Sequence, residues 1–225
     1  MSLLYPRRVN CIVTAGPTYE TMDTVRRLTN FSTGRLGTEL ANFLTARGHQ
    51  VTLLLGEQAT YRGERRAQRG ELFTTTADLR QRFQALATQN VGAVLHAAAV
   101  SDFTFGKIWH RSVAGELSEI KSGKISTRQG TLLAELVPTP KLILELRPLF
   151  PNAKLVGWKY EVEGDPASVL RAAESQLREC RTDACVANGP AYGKGFGLVT
   201  GAGRCEHLTD GDELFAALEE LIELS

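Results

Sequence analysis

The stretch Val9–Ala15 reads VNCIVTA and runs straight into Gly16-Pro17. A short apolar run closed by a turn pair is the signature of a buried strand. Gly34–Arg47 follows, with Leu36, Leu40, Phe43 and Leu44 at helical spacing and Gly48 as the stop. Val51–Leu55 (VTLLL) is the next apolar run. Strand, helix and strand in this order form a βαβ unit, in which the strands lie parallel and the helix covers one face.

Outward from that unit the alternation continues. Thr76/Asp78 to Ala87 carries Leu79, Phe83 and Leu86 on one helical face. Val91–Val100 (VGAVLHAAAV) reads as a buried strand closed by Ser101-Asp102. Thr139-Pro140 combines a good N-cap with proline at the first helical position, so a helix is expected from there. Lys154–Val162 is strand-like, and Asp165-Pro166 opens a further helix to about Cys180. Ala184–Ala187 is a short strand. Gly197–Thr200 and Arg204–Leu208, split by Gly-Ala-Gly, form a hairpin, and Asp210/Asp212 to Leu224 an amphipathic helix. The expected class is α/β: a Rossmann-like three-layer fold with a mostly parallel central sheet and a C-terminal hairpin addition. Ligands of such folds sit outside the carboxyl ends of the strands. The loops after Ala15, Leu55, Val100 and Val162, and the long segment 103–138, are therefore the places to look.

Composition narrows the partners. The 225 residues carry 26 Lys+Arg against 25 Asp+Glu, a net charge of +1, and 43% are hydrophobic. That balance excludes bulk electrostatic adhesion to nucleic acid or membrane. The basic run Arg62–Arg69 lacks the interleaved aromatics that stack on bases and reads as a solvated loop. No apolar stretch suits a transmembrane helix, and Met1–Arg8 lacks the apolar run of a signal peptide. A cytoplasmic protein is expected. Cys11, Cys180, Cys185 and Cys205 show no metal or redox spacing and are read as reduced thiols without chemistry.

Three segments can carry chemistry. Asn30 to Gly37 reads NFSTGRLG and places Ser32, Thr33 and Gly34 at the mouth of a helix, where unpaired N–H groups and the helix dipole favour an anion. Neither the dinucleotide fingerprint nor a P-loop is present, and a capped helix start accounts for the same residues equally well. At Leu95–Asp102, three alanines at a strand end allow close approach to the backbone. Asp102 can accept from a ligand hydroxyl, hold a metal-bound water, or simply cap a turn. Lys121 and Lys124 lie in EIKSGKIST, a small lysine loop in a chain with only seven lysines. An ammonium there can neutralise a phosphate, or be no more than a solvated loop lysine.

Taken together, TAGPT from Thr14, DTVRRLTNFSTGRLG from Asp23, HAAAVSDF from His96, KIST from Lys124, LVPTPKLI from Leu136, VGWK from Val156 and DACVAN from Asp183 resemble the phosphopantothenate–cysteine ligase (phosphopantothenoylcysteine synthetase) family of coenzyme A biosynthesis. The resemblance spans about residues 9 to 224 and implies a stand-alone form, a single domain over 1–225. It also implies that 103–138 is a long active-site segment, mobile when the site is empty. The implied reaction joins 4′-phosphopantothenate to L-cysteine through an acyl-nucleotide, with CTP or ATP as co-substrate and Mg²⁺. A cytoplasmic homodimer is the implied assembly.

By the same resemblance Asn30 bonds the acyl group and Lys124 is the catalytic lysine, chosen over Lys121 for the Lys-Ile pair that follows. The nucleotide falls to Gly16, Ser32, Thr33, Gly34, His96, Ala97, Ala98, Asp102 and Lys124, to the helix start Pro140, Lys141, Leu142 and Ile143, and to Trp158. The metal ligands stay open. Trp158 stands where the family usually has phenylalanine. Gln176 and Cys180 stand near two usual lysines, leaving Arg178 and Arg181 as the expected substitutes, and Ala187-Asn188-Gly189 replaces the usual Ala-Asn-Asp. Two other readings compete: an NAD(P)-dependent reductase, which needs a glycine-rich loop and a Tyr/Lys pair not seen here, and a non-catalytic nucleotide-binding partner of a separate decarboxylase. The ligase reading requires Asn30 and Lys124, from the same chain or from a neighbouring copy, to converge on one activated acid.

Overall fold

The computed structural model describes residues 8–121, 123–126, 130–201 and 203–224. In chain order these form β1 (Asn10–Ala15), β2 (Tyr19–Thr21), β3 (Arg27–Thr29), α1 (Arg35–Ala46), β4 (Gln50–Gly56), β5 (Arg69–Phe73), α2 (Thr76–Leu86), β6 (Ala93–His96), β7 (Phe103–Arg111), β8 (Leu117–Glu119), β9 (Thr131–Pro138), α3 (Leu142–Leu149), β10 (Lys154–Tyr160), α4 (Pro166–Cys180), β11 (Ala184–Asn188), β12 (Phe196–Thr200), β13 (Arg204–Leu208) and α5 (Gly211–Glu223).

Eight strands make the central sheet in the order β13-β12-β11-β10-β6-β1-β4-β5. The six from β11 to β5 run parallel, and β12 and β13 close one edge antiparallel, as the sequence leads one to expect. Alternate residues of β1 go to opposite faces. Cys11, Val13 and Ala15 pack under α1 and α5 with Leu40, Leu44, Leu214 and Leu218. Ile12 packs on the other face with Leu79 and Phe83 of α2 and Leu142 and Leu146 of α3. Alpha4 covers the same face beyond them, over Cys185 and Ala187. Fully burying each such side chain contributes about 1.5–3 kcal/mol, so the three-layer arrangement follows from the apolar periodicity. Among the described residues no helix is long and apolar enough to cross a membrane.

Several elements depart from the sequence reading. The strand expected over 91–100 is paired only through Ala93–His96. Beyond His96 the chain leaves β10 and runs along the loop after β1, where Ala99 N–H bonds Gly16 O and Thr18 N–H bonds Ala99 O. The helix expected at Thr139-Pro140 starts at Leu142 instead, with Lys141 as N-cap. Thr139 is diverted: its hydroxyl donates to Ser101 O and its N–H to Asp102 O. By contrast Asp165 caps α4 as expected, in a capping box with Ser168 and with Pro166 in the first turn. The short β2–β3 hairpin and β5 are additional strands, β5 beginning at the last arginine of the 62–69 run. Within 103–138, β7 pairs antiparallel with β8 and β9 to form a separate three-stranded arm.

Candidate active site

The order of the strands sets the place of the site. The chain passes from β1 outward to β4 and β5, then returns to β6 on the other side of β1. Such a reversal leaves a crevice at the carboxyl ends of the two strands. A cleft of about 670 Å³ lies there, with Gly16 and Ala97–Val100 as its floor and Asp102 at its end. One wall is Asn30–Gly34 with the first residues of α1, and the other is Trp158, Lys159, Tyr160, Gln176 and Asn188.

The first wall is built for an anion. Gly34 is the N-cap of α1 with φ 80°, and the hydroxyl of Thr33 accepts from Arg35 N–H at 3.3 Å. A Cβ on Gly34 would lie 3.0 Å from Ala59 Cβ and 3.3 Å from Gly16 Cα, so only glycine fits this turn without strain. The first turn of α1 contains no acidic residue, which leaves the N–H groups of Leu36 and Gly37 open to a negative ligand. Beside it Asn30 donates its amide to Ala99 O at 3.2 Å and Val100 O at 3.3 Å, bonds at the long end of the useful range. Phe31 next to it is fully exposed.

The floor is held from below by His96. Its imidazole is buried, shares a 2.8 Å bond between Nδ1 and the Thr14 hydroxyl, and meets Phe83 edge-on. Thr14 Oγ1 also accepts from Ala98 N–H, so the histidine sets the height of the alanine floor. Burial lowers its pKa to about 4, which keeps the ring neutral at pH 7.

On the second wall, Gln176 reaches from α4 to Trp158 O at 3.4 Å and Cys185 Sγ at 3.3 Å. Trp158 Nε1 and Asn188 Oδ1 are buried and unpartnered. Such atoms cost free energy unless a ligand satisfies them.

The structure thus gathers Gly16, Asn30, Ser32, Thr33, Gly34, Ala97, Ala98, Asp102 and Trp158 around one cleft. Other candidates lie apart from it. The His96 side chain sits beneath the floor. Pro140 and Leu142 line a smaller cavity with Glu20, Thr76 and Arg80. Ile143 packs under Gly157, and Lys141 lies near Cys180 on α4. Lys124 does not line the cleft. Its loop docks on the β2–β3 turn of its own chain: Ile125 N–H donates to Asp23 Oδ2 at 3.2 Å, Arg26 Nη2 to Ile125 O at 2.8 Å, and Thr24 N–H to Gly123 O at 2.9 Å. At about 3.3 Å per residue, that turn is roughly 13 Å from Asn30 along β3. Arg178 and Arg181 do not supply the cleft with charge either. Arg178 is exposed away from it, and Arg181 ends α4 at the opposite edge of the sheet, where its carbonyl accepts from Arg147. Among the described residues the cations lining the cleft are Arg35 and Lys159, and sequence reasoning passed over both.

Among the described residues one cluster outside the cleft has the side chains of a metal site. His49, Glu219 and Glu223 cluster near α5. His49 Nδ1 accepts from Val9 N–H at 3.2 Å, so in the neutral ring Nε2 carries the proton and faces Glu219 Oε1 at 3.3 Å. That nitrogen has no lone pair for a cation, and the cluster ties α5 to the turn between α1 and β4. Three of the four cysteines lie in the interior. Cys11, Cys180 and Cys185 are buried, and burial pushes the thiols of Cys11 and Cys185 to about 12. Cys205 is exposed, with its thiol also raised.

A doubly wound α/β domain with an anion-ready helix mouth at its switch point is the class that fold and cleft define. Residues 7–205 match the DNA/pantothenate metabolism flavoprotein C-terminal domain, and the chain belongs to that family. A curated relative, the coenzyme A biosynthesis bifunctional protein CoaBC of Thermococcus kodakarensis, is 32% identical over 177 residues, which are 79% of this chain and 40% of the relative. The chain spans between two-fifths and one-half of the length of the first curated relatives it matches. Among solved structures, the DNA/pantothenate metabolism flavoprotein from Streptococcus pneumoniae superposes with a TM-score of 0.83 at 24% identity, covering 96% of this chain and 99% of that one. A Cab2 variant in complex with phosphopantothenate-cysteine superposes at 0.69 with 19% identity, covering 95% and 87%.

Proposed function

We propose that the chain is a phosphopantothenate–cysteine ligase of coenzyme A biosynthesis. The carrying observation is the cleft itself: the family's NFSTGRLG and HAAAVSD segments meet there, forming an open helix mouth opposite a carboxylate. The CoaBC relatives and the ligand of the Cab2 variant support the choice of substrates.

In the first step a carboxylate oxygen of 4′-phosphopantothenate attacks the α-phosphorus of CTP or ATP. The bond to the β-phosphate breaks and pyrophosphate leaves. In the second the cysteine amine attacks the acyl carbon, loses a proton, and releases the nucleoside monophosphate. Both steps bring anions together, so catalysis consists of positioning and charge neutralisation. The open N–H groups of α1 and Ser32, Thr33 and Gly34 take a phosphate. Asn30 gives up its long bonds to Ala99 and Val100 for the acyl oxygen. Trp158 offers an aromatic face to the base, and Gly16, Ala97 and Ala98 let the nucleotide approach the floor.

The donor set fits Mg²⁺ carried by the nucleotide: Asp102 is the one carboxylate lining the cleft among the described residues, and magnesium favours phosphate oxygens and waters over a protein cage. Asp102 would hold a water of that ion or a ribose hydroxyl. The ion would supply charge neutralisation at the phosphates. Lys124 acts on the same acyl group, brought there by undocking of its loop from the β2–β3 turn or supplied by a neighbouring copy of the chain. The proposed assembly is a cytoplasmic homodimer, in which a second copy covers the exposed Phe103, Leu133, Leu136 and Val137 of the arm.

The test is release of pyrophosphate by purified protein given phosphopantothenate, cysteine, Mg²⁺ and either CTP or ATP. Asn30→Asp and Lys124→Ala are expected to lower turnover by roughly 10²-fold or more, the scale for losing one preorganised charge-stabilising group. No release with any triphosphate refutes the ligase, and near-normal turnover in a variant refutes that residue's role.

A further inference from the structure

Each wall of the cleft carries one cation, and each cation is held by a glutamate. On the α1 side Arg35 Nε contacts Glu39 Oε1 at 2.8 Å. On the β10 side Lys159 Nζ contacts Glu161 Oε1 at 2.9 Å, with both side chains 34% exposed. Glu161 follows directly after Tyr160, the last residue of β10, and the spacing of two brings its carboxylate to the side of the chain that carries Lys159. Glu161 is also fixed through its backbone: its N–H bonds Asn188 O at 3.0 Å, and its carbonyl accepts from Ala191 N–H at 3.1 Å. A half-exposed Lys–Glu pair is worth little in water, whereas a phosphate offers an ammonium more charge and more acceptor oxygens. At the same strand ends, on the α1 side of the sheet, Trp158 Nε1 and Asn188 Oδ1 are buried without a partner, a second sign that this rim of the cleft meets a polar ligand. Alpha4 adds only the neutral Gln176 to the cleft.

We infer that Lys159 is a gated anion anchor: Glu161 holds its ammonium in the empty cleft and yields it to a phosphate group of the bound nucleotide. The identity of that phosphate rests on the ligase reading, while the anchor itself requires only a polyphosphate. Glu161 therefore competes with the ligand, which gives the two residues opposite signs.

Titration calorimetry with inorganic tripolyphosphate and with CTP, on wild type, Lys159→Met, Glu161→Gln and the double variant, tests this. Thermal melts confirm that each variant is folded. Lys159→Met is expected to weaken tripolyphosphate binding about tenfold, the worth of one charge-assisted hydrogen bond. Glu161→Gln is expected to tighten it, and the double variant to match Lys159→Met, because Glu161 acts only through the lysine. Unchanged binding in Lys159→Met, weakened binding in Glu161→Gln, or no binding by wild type overturns the anchor. Pyrophosphate release by wild type together with unchanged binding in Lys159→Met removes the anchor and leaves the ligase. Opposite shifts in the two variants without any pyrophosphate release leave the anchor and remove the ligase.

Discussion

His96 couples the cleft floor to pH, and its size of effect can be worked out. The ring is only 6% exposed, and its pKa is lowered from 6.5 to about 4 because burial disfavours the charged imidazolium. Below pH 6.5 the unfolded chain takes up a proton that the native ring refuses. Native stability from this group is therefore complete above 6.5 and is lost as the pH falls toward 4, after which both states are protonated. With those two pKa values the loss is about 2 kcal/mol at pH 5 and about 3 kcal/mol at pH 4.

His96→Gln removes the titration while also weakening the bond to Thr14 and the contact with Phe83. At pH 7 the variant is less stable than wild type. Urea unfolding followed by tryptophan fluorescence at pH 7, 6, 5 and 4 gives both curves. The gap between them should shrink by about 3 kcal/mol across that range, since every other titrating group cancels in the difference. A gap that stays constant with pH refutes the assignment of a neutral, buried imidazole under the alanine floor.

Two further outcomes concern the packing of α1 on β1 and the docking of the 123–126 loop. A Cβ at position 37 would lie 2.7 Å from Ala15 Cβ and 2.8 Å from Thr14 O, so Gly37→Ala must push α1 off β1, at a cost of about 1–3 kcal/mol that a lowered Tm reports; an unchanged Tm would show that helix and strand are not in close contact. The carboxyl of Asp23 is lowered from its ordinary value, first by the Val25 N–H and then by those of Arg26 and Ile125. Asp23→Ala should raise amide hydrogen exchange of 123–126 roughly tenfold or more, and unaltered protection would mean that the loop is held elsewhere.

Legibility in the sequence followed how local the cause was. The buried strands and the helices on the sheet announce themselves because one face of each is apolar: Leu40 and Leu44 on α1, Leu79 and Phe83 on α2. The switch-point loops were readable for the same reason, since they begin where those strands end. Beta9 gave no such signal. Nearly all of Thr131–Pro138 is exposed, so no alternation betrays a core-facing side. The start of α3 misled through a tertiary rival: Thr139 is a sound N-cap by type, but its hydroxyl is committed to Ser101 O.

The charges of the cleft show the same division more sharply. The resemblance directs attention to α4 for positive charge, and Arg178 and Arg181 are near Gln176 in sequence. Two residues along a helix turn the side chain by about 200°, so when Gln176 faces the cleft Arg178 cannot. Arg181 lies past the last turn, at the far edge of the sheet. Charge must instead come from elements whose carboxyl ends or N-termini meet at the switch point, which are β10 and α1. Lys159 with Glu161 has strand spacing and Arg35 with Glu39 has helix spacing. Both pairs are plain in the sequence once the walls are known. Before that, a lysine two residues from a glutamate looks like any solvated strand end. What separates it is the parallel pairing of β10 with β6, a contact between residues about sixty positions apart that brings Lys159 to the same crevice as Gly16 and Asn30.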